Sequence, residues 1–156
     1  MARVLVMKPA GELSRDQGVV SHHAASPENS VKHFYNIGDL YVYDSSLRIL
    51  QHDTVESLDI NTVSDERIEH YNANFDYCFL RGSNYINPNA QWGKANEVLE
   101  RLKIPVMAFG IGVQIKTEDD LALNPETTRL LQQIAAKSTT IAVRGELSVK
   151  VLNSIG

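Results

Sequence analysis

Short apolar runs alternate with amphipathic stretches along most of this chain, and that alternation constrains its fold more than any other feature. Arg3 to Met7, Asp76 to Leu80, Ile104 to Phe109 and Thr140 to Val143 are too short for helices and rich in aromatic or β-branched residues. Thr54 to Ile60 is a weaker strand, in which Val55, Leu58 and Ile60 only partly alternate. Between these runs the apolar residues move to helical spacing. Asp39 to Gln51 carries Leu40, Val42, Tyr43, Leu47 and Leu50 behind a Gly-Asp start. Ser64 to Tyr71 opens on a serine that can cap it. Asn89 to Lys103 puts Trp92, Ala95, Val98, Leu99 and Leu102 on one side. Pro125 to Lys137 has Asn124 before it and a proline in its first turn, and Glu146 to Ser154 runs toward Gly156, where a helix stop belongs. Pro105 is tolerated only near the first residue of its strand. Strands and helices in this order predict βαβ units with right-handed crossovers. The expected fold is therefore α/β: a single Rossmann-like domain over residues 1–156, doubly wound, with a mainly parallel five-stranded sheet, helices on both faces and strand one central.

In such a sheet the carboxyl ends of the strands share one rim, and ligands bind there. Polar segments follow three of the apolar runs: Arg81-Gly82-Ser83-Asn84, Gly110-Ile111-Gly112 and Arg144-Gly145-Glu146-Leu147-Ser148. A fourth, Asn36-Ile37-Gly38-Asp39, closes the long connection that leaves the first strand and can return to the same edge. The stretch from Lys8 to Ile37 shows no periodic segment, and loops of that length are usually functional or disordered. It contains His22, His23 and His33. The last helix invites another strand after it, so the chain reads as a domain-sized piece of a longer protein.

Composition narrows the function classes. A net charge of −4 with no long Lys/Arg stripe argues against nucleic acid as the main partner. An anionic small substrate stays compatible, because a few local arginines and helix N-termini can hold one. One cysteine, Cys78, excludes an intramolecular disulfide and fits a reducing, cytoplasmic setting. No apolar run approaches the length of about 18 residues that a membrane span needs, and the N-terminus lacks a signal-peptide pattern. No zinc spacing, Gly-rich Lys loop or Gly-x-Ser-x-Gly elbow is present, so neither a metal nor a tightly held cofactor is expected.

The motifs together resemble the polysaccharide pyruvyl transferases. Members show an early Asn-x-Gly-Asp segment before a helix carrying Ser and Leu, here Asn36 to Asp39 with Asp44-Ser45-Ser46-Leu47. An Asp-hydrophobic strand with a Gly-rich turn follows, here Asp76 to Leu80 and then Arg81 to Asn84. Next come a Pro-hydrophobic strand running into Gly-Ile-Gly, here Ile104 to Gly112, and a strand ending in Arg with an acidic residue and Ser behind it, here Ile141 to Ser148. The closing Leu-x-x-x-Gly is Leu152 to Gly156. Two departures stand out: Arg81 and Asn84 replace glycines of the usual turn, and Gly145 displaces the usual acidic neighbour of the arginine.

The resemblance implies transfer of pyruvate from phosphoenolpyruvate, as a ketal, onto a sugar of an exopolysaccharide or cell-surface polysaccharide precursor. It implies two Rossmann-like domains facing one cleft, as in glycosyltransferase-B-like enzymes. This chain would be the N-terminal, acceptor-side half, inactive alone. Phosphoenolpyruvate would be a co-substrate, and the partner a saccharide acceptor, lipid-linked among the options. The expected substrate-binding residues are Asn36, Gly38, Asp39, Gly82, Ser83, Asn84, Gly110, Gly112, Arg144 and Glu146. Catalytic groups are not identified, Asp39 and His33 being weak candidates. A nucleotide-sugar-dependent glycosyltransferase and a non-catalytic sugar- or nucleotide-binding domain remain as alternatives.

Structural roles compete at each position. Asp39 can cap its helix, Asn36 can form a turn, and Gly110 and Gly112 can serve only close backbone approach. Arg144 can be consumed in an ion pair with Asp39 or Glu146. Trp92 suits either the core or a sugar platform, and Cys78 reads as an inert core thiol.

Overall fold

Val4, Leu5 and Val6 are consecutive and all have no exposed surface, which requires a strand covered on both faces. They belong to β1 (Ala2–Lys8) of the computed structural model, which describes residues 2–8, 13–14, 18–19, 42, 45–60, 63–115 and 122–156. The other strands of the main sheet are β4 (His52–Asp59), β5 (Tyr77–Leu80), β6 (Val106–Ile111) and β7 (Ile141–Val143). Their order is β4-β1-β5-β6-β7, and every neighbouring pair is parallel. Two short strands, β2 (Leu13–Ser14) and β3 (Gly18–Val19), pair antiparallel inside the stretch expected to lack regular structure.

The five-stranded doubly wound sheet is as expected, but its centre is not. β5 occupies the middle and β1 lies one place from the edge. The first crossover carries the chain from β1 outward to β4. The next returns past β1 to β5, and all later strands add on that far side. The winding therefore reverses between β1 and β5, where a parallel sheet opens a crevice at its carboxyl ends.

Residue alternation sends two apolar sets to opposite faces. Leu5, Met7, Cys78, Leu80, Val106 and Ala108 pack under α1 (Asp65–Asn74), α2 (Gly93–Arg101) and α3 (Pro125–Lys137), with Val151 of α4 (Glu146–Ser154) in the same core. On the other face Val4, Val6 and Phe79 are met by Leu47 and Leu50 from the helical segment around residues 45–49. Helical cover thus lies on both faces, although Met107 and Phe109 of β6 stay exposed on the second. Burial drives the Cys78 thiol up to about 12, which leaves it an inert core group. Among the described residues no helix is long and apolar enough to cross a membrane.

Local chemistry explains where the helices begin. Ser64 accepts from the Arg67 amide at 3.3 Å and caps α1, which runs three residues beyond the expected Tyr71. Asn124 accepts from the Thr127 amide at 2.8 Å, with Pro125 in the first turn of α3. Its side-chain amide also donates to the carbonyls of Pro88 and Ala90, at 2.6 and 2.9 Å. That tie accounts for the late start of α2 at Gly93 rather than Asn89. Asn87 turns the chain instead, its side chain accepting from the Asn89 amide at 3.0 Å. At the amino ends of the strands, Arg3 and Asp76 form a clamp. Asp76 accepts from the Arg3 amide and guanidinium, each at 2.7 Å, and its own amide donates to the Arg3 carbonyl at 2.9 Å.

Two stability predictions follow from these contacts. Replacing Asn124 by Ala removes a cap and two loop anchors, and urea titration should show a loss of about 1–3 kcal/mol. The hydrogen bonds from Arg3 hold the Asp76 carboxyl down at about 2, below its ordinary 3.8. A depressed carboxyl pKa adds stability above the unfolded value, and that contribution is lost as pH falls through the folded one. The native protein should therefore lose stability between pH 4 and about 2, and Asp76→Asn should flatten that limb of an acid titration.

Candidate functional site

β5 ends at Leu80, and the residue that follows it is an arginine with no exposed surface. Arg81 turns its Nη1 back to donate to the Gly82 carbonyl at 2.6 Å, while the Tyr85 hydroxyl donates to the Arg81 carbonyl at 3.0 Å. Burial pulls the Arg81 guanidinium down to about 10, Tyr85 opposes that pull, and the positive charge of Arg144 adds to it. The side chain remains protonated at neutral pH. Two cations therefore influence one another at this edge of the sheet.

Glycines decide how closely the segments after β5 and β6 can lie. A Cβ at Gly82 would stand 3.1 Å from the Gly110 carbonyl oxygen and 3.3 Å from that of Phe109. Gly110 has φ +76, in the left-handed region, and a Cβ there would approach the Gly82 Cα to 3.2 Å. The register of β6 on β7 shifts between Phe109 and Ile111, so Gly110 is the irregular residue of the strand. Beyond it the two segments stay joined. The Gly112 amide donates to the Ser83 carbonyl at 2.9 Å, and the Ile86 amide to the Gly112 carbonyl at 3.1 Å.

Arg144 completes the arrangement from the end of β7. Its backbone amide donates to the Ile111 carbonyl at 3.0 Å, and its Nη2 donates to Asn84 Oδ1 at 2.7 Å. The guanidinium lies directly over Gly112. A Cβ at that glycine would be 2.6 Å from Nη2, 2.7 Å from Nε and 2.7 Å from Asn84 Oδ1. The seat for Arg144 exists because residue 112 has no side chain.

The structure thus brings Gly82, Ser83, Asn84, Gly110, Gly112 and Arg144 to one rim, as the parallel topology required. Glu146 lies exposed in the first turn of α4. Among the described residues Arg144 forms no ion pair with Glu146 or any other carboxylate, and Asp39, the other partner expected for it, lies outside them. A hydrogen bond to a neutral amide holds it instead. Asn36, Gly38 and Asp39 lie outside the described residues, as do His22, His23 and His33. Trp92 is half-buried against Tyr85, ring centroids 5.7 Å apart, and packs on the main core rather than forming an open platform. Among the described residues no group of three or more His, Cys, Asp or Glu could hold a metal ion. The residue that sequence reasoning undervalued is Arg81. Its signal, an arginine directly ending an apolar strand, was visible, but its weight depends on that strand being central.

These contacts separate residues that hold the backbone from residues whose side chains stay exposed. Gly110→Ala should cost about 1–2 kcal/mol in chemical denaturation, because a Cβ is unfavourable in left-handed backbone. Arg144→Ala, at an exposed side chain, should change stability by only about 0.5 kcal/mol. A large destabilisation by Arg144→Ala in the same titration would show that its role is to hold the fold.

The family model for polysaccharide pyruvyl transferase matches residues 31–156, well over half of the chain. No curated protein and no solved structure matches it. The matched span includes the Asn36–Asp39 segment and all three segments gathered at the rim, and only β1, the small β2–β3 pair and the connection up to residue 30 precede it. The chain belongs to the polysaccharide pyruvyl transferase family, a family of transferases.

Proposed function

We propose that the protein transfers pyruvate from phosphoenolpyruvate onto two hydroxyls of a sugar, forming a cyclic ketal and releasing phosphate. The acceptor is a saccharide of an exopolysaccharide or cell-surface polysaccharide precursor, lipid-linked forms included, and the reaction is cytoplasmic. The observation that carries this reading is the exposed Arg144 guanidinium, seated over Gly112 and held by Asn84 without a countercharge among the described residues. Phosphoenolpyruvate carries a carboxylate and a phosphate, the groups that guanidinium donors bind best. An anion at Arg144 also offsets the repulsion between that charge and Arg81.

The reaction needs more than anion binding. Protonating the enol carbon creates an oxocarbenium-like centre, so an acid must stand near the donor, and an acceptor group must take the hydroxyl proton. The rim side chains Arg81, Ser83, Asn84 and Arg144 hold and orient; none of them is a carboxylic acid or an imidazole. Asp39 and His33 are the weak sequence candidates for that work. Following the resemblance, this chain forms the acceptor-side wall of a cleft and a second domain carries the main donor contacts, with Arg144 meeting the anionic groups of phosphoenolpyruvate from the acceptor side.

Incubating the full-length protein with phosphoenolpyruvate and candidate lipid-linked sugars tests this directly. Phosphate release should require the sugar, and mass spectrometry should find one ketal per phosphate. Arg144→Ala should lower kcat/KM by roughly ten- to a hundredfold, the loss of a charge-assisted contact. Release of a nucleoside diphosphate from a nucleotide sugar, with phosphoenolpyruvate untouched, would instead identify a glycosyltransferase.

A further inference from the structure

We infer that Asn84 sets the charge of the rim: it is a positioning residue that orients Arg144 without neutralising it, so the site takes an anionic substrate group. The inference rests on the proposed transfer reaction for the identity of that anion, but its geometry stands apart from it. Asn84 Oδ1 accepts from Arg144 Nη2 at 2.7 Å, and both groups occupy the space a Cβ at Gly112 would need. An amide oxygen can accept from a guanidinium as a carboxylate does, but it brings no negative charge. The guanidinium has five N–H donors in a planar fork, and among the described residues Asn84 is its one side-chain partner. Among the described residues no other side chain takes the rest of that fork, which a ligand can use.

The alternative acceptor is nearly the same shape. Aspartate differs from asparagine by one terminal atom, so it could grip Arg144 from the same place and more tightly. It would also supply internally the charge that a ligand must otherwise bring. Asn84 therefore decides between an arginine that recognises anions and one spent on an ion pair. Gly112 decides whether the arginine can reach that position at all.

Three variants and two readouts test this in the full-length protein. The Arg144 Nε–H resonance, followed by nitrogen-labelled NMR, reports whether the guanidinium is held. Calorimetry with phosphoenolpyruvate, and with inorganic phosphate as a second probe, reports its availability. Asn84→Ala and Gly112→Ala should both release the guanidinium, seen as fast exchange of the resonance, and weaken phosphoenolpyruvate binding about tenfold. Asn84→Asp should keep the resonance protected yet weaken binding by at least about tenfold, a split that a merely structural role would not produce. An unchanged resonance and affinity in Asn84→Ala overturns the positioning role. Wild-type affinity in Asn84→Asp overturns the charge argument. If the wild-type protein binds phosphate but not phosphoenolpyruvate while the resonance still depends on Asn84, the donor assignment fails and the positioning role stands.

Discussion

Two backbones meet where β5 and β6 end only because neither Gly82 nor Gly110 carries a side chain. The rest of the rim depends on that contact. With the strands' continuations side by side, the Gly112 amide reaches the Ser83 carbonyl and the Ile86 amide reaches the Gly112 carbonyl. Ile86 and Val113 then form a parallel bridge past the ends of the strands proper. A loop edge becomes an extension of the sheet, with its polar backbone groups paired rather than open to solvent. Asn84 is thereby fixed relative to Gly112, and a side chain from a third strand can be held between them.

Arg81 and Arg144 have the same residue type and the same position after an apolar strand, yet opposite fates. β5 has a neighbour on each side, and the side chain that follows it has no exposed surface. β7 is an edge strand, and the arginine that follows it reaches solvent. Burying a charge costs several kcal/mol before compensation, so Arg81 is an expensive component of the fold. Arg144 avoids that cost and keeps its hydrogen-bonding capacity. The interior cation shapes the potential, and the exposed one can meet a ligand.

The opposite end of the sheet is built by different means. Asp76 joins the starts of β1 and β5 through a short, multiply bonded pair with Arg3. From α1, the Asn72 side chain donates to the Arg101 carbonyl and accepts from the Lys103 amide, tying off the end of α2. Side chains bridge separate elements at that end, whereas the segments after β5 and β6 are joined by glycine contacts and main-chain bonds.

Periodicity was enough to place most elements, because a strand or helix declares itself within a few residues. Pro125–Lys137 and Glu146–Ser154 were legible to the residue, helped by local signals: Asn124 and Pro125 at the start of the first and Gly156 after the end of the second. The start of α2 was not, because Asn124, distant in sequence, holds the Pro88–Ala90 turn out of the helix. The convergence of Ser83, Asn84, Gly112 and Arg144 was also legible in outline, because parallel strands must share a carboxyl rim. Strand order was not: every crossover choice satisfies the same local pattern, and only the packed sheet puts β5 rather than β1 at the centre. The partner of Arg144 was equally hidden. Glu146 was the near neighbour in sequence, but the guanidinium follows the space above Gly112 to Asn84. By itself the sequence determined which segments become strands and helices and which polar motifs face one edge. Only the tertiary structure decided which arginine is buried, which is available, and what holds it, because those depend on distances between segments that share no local interaction.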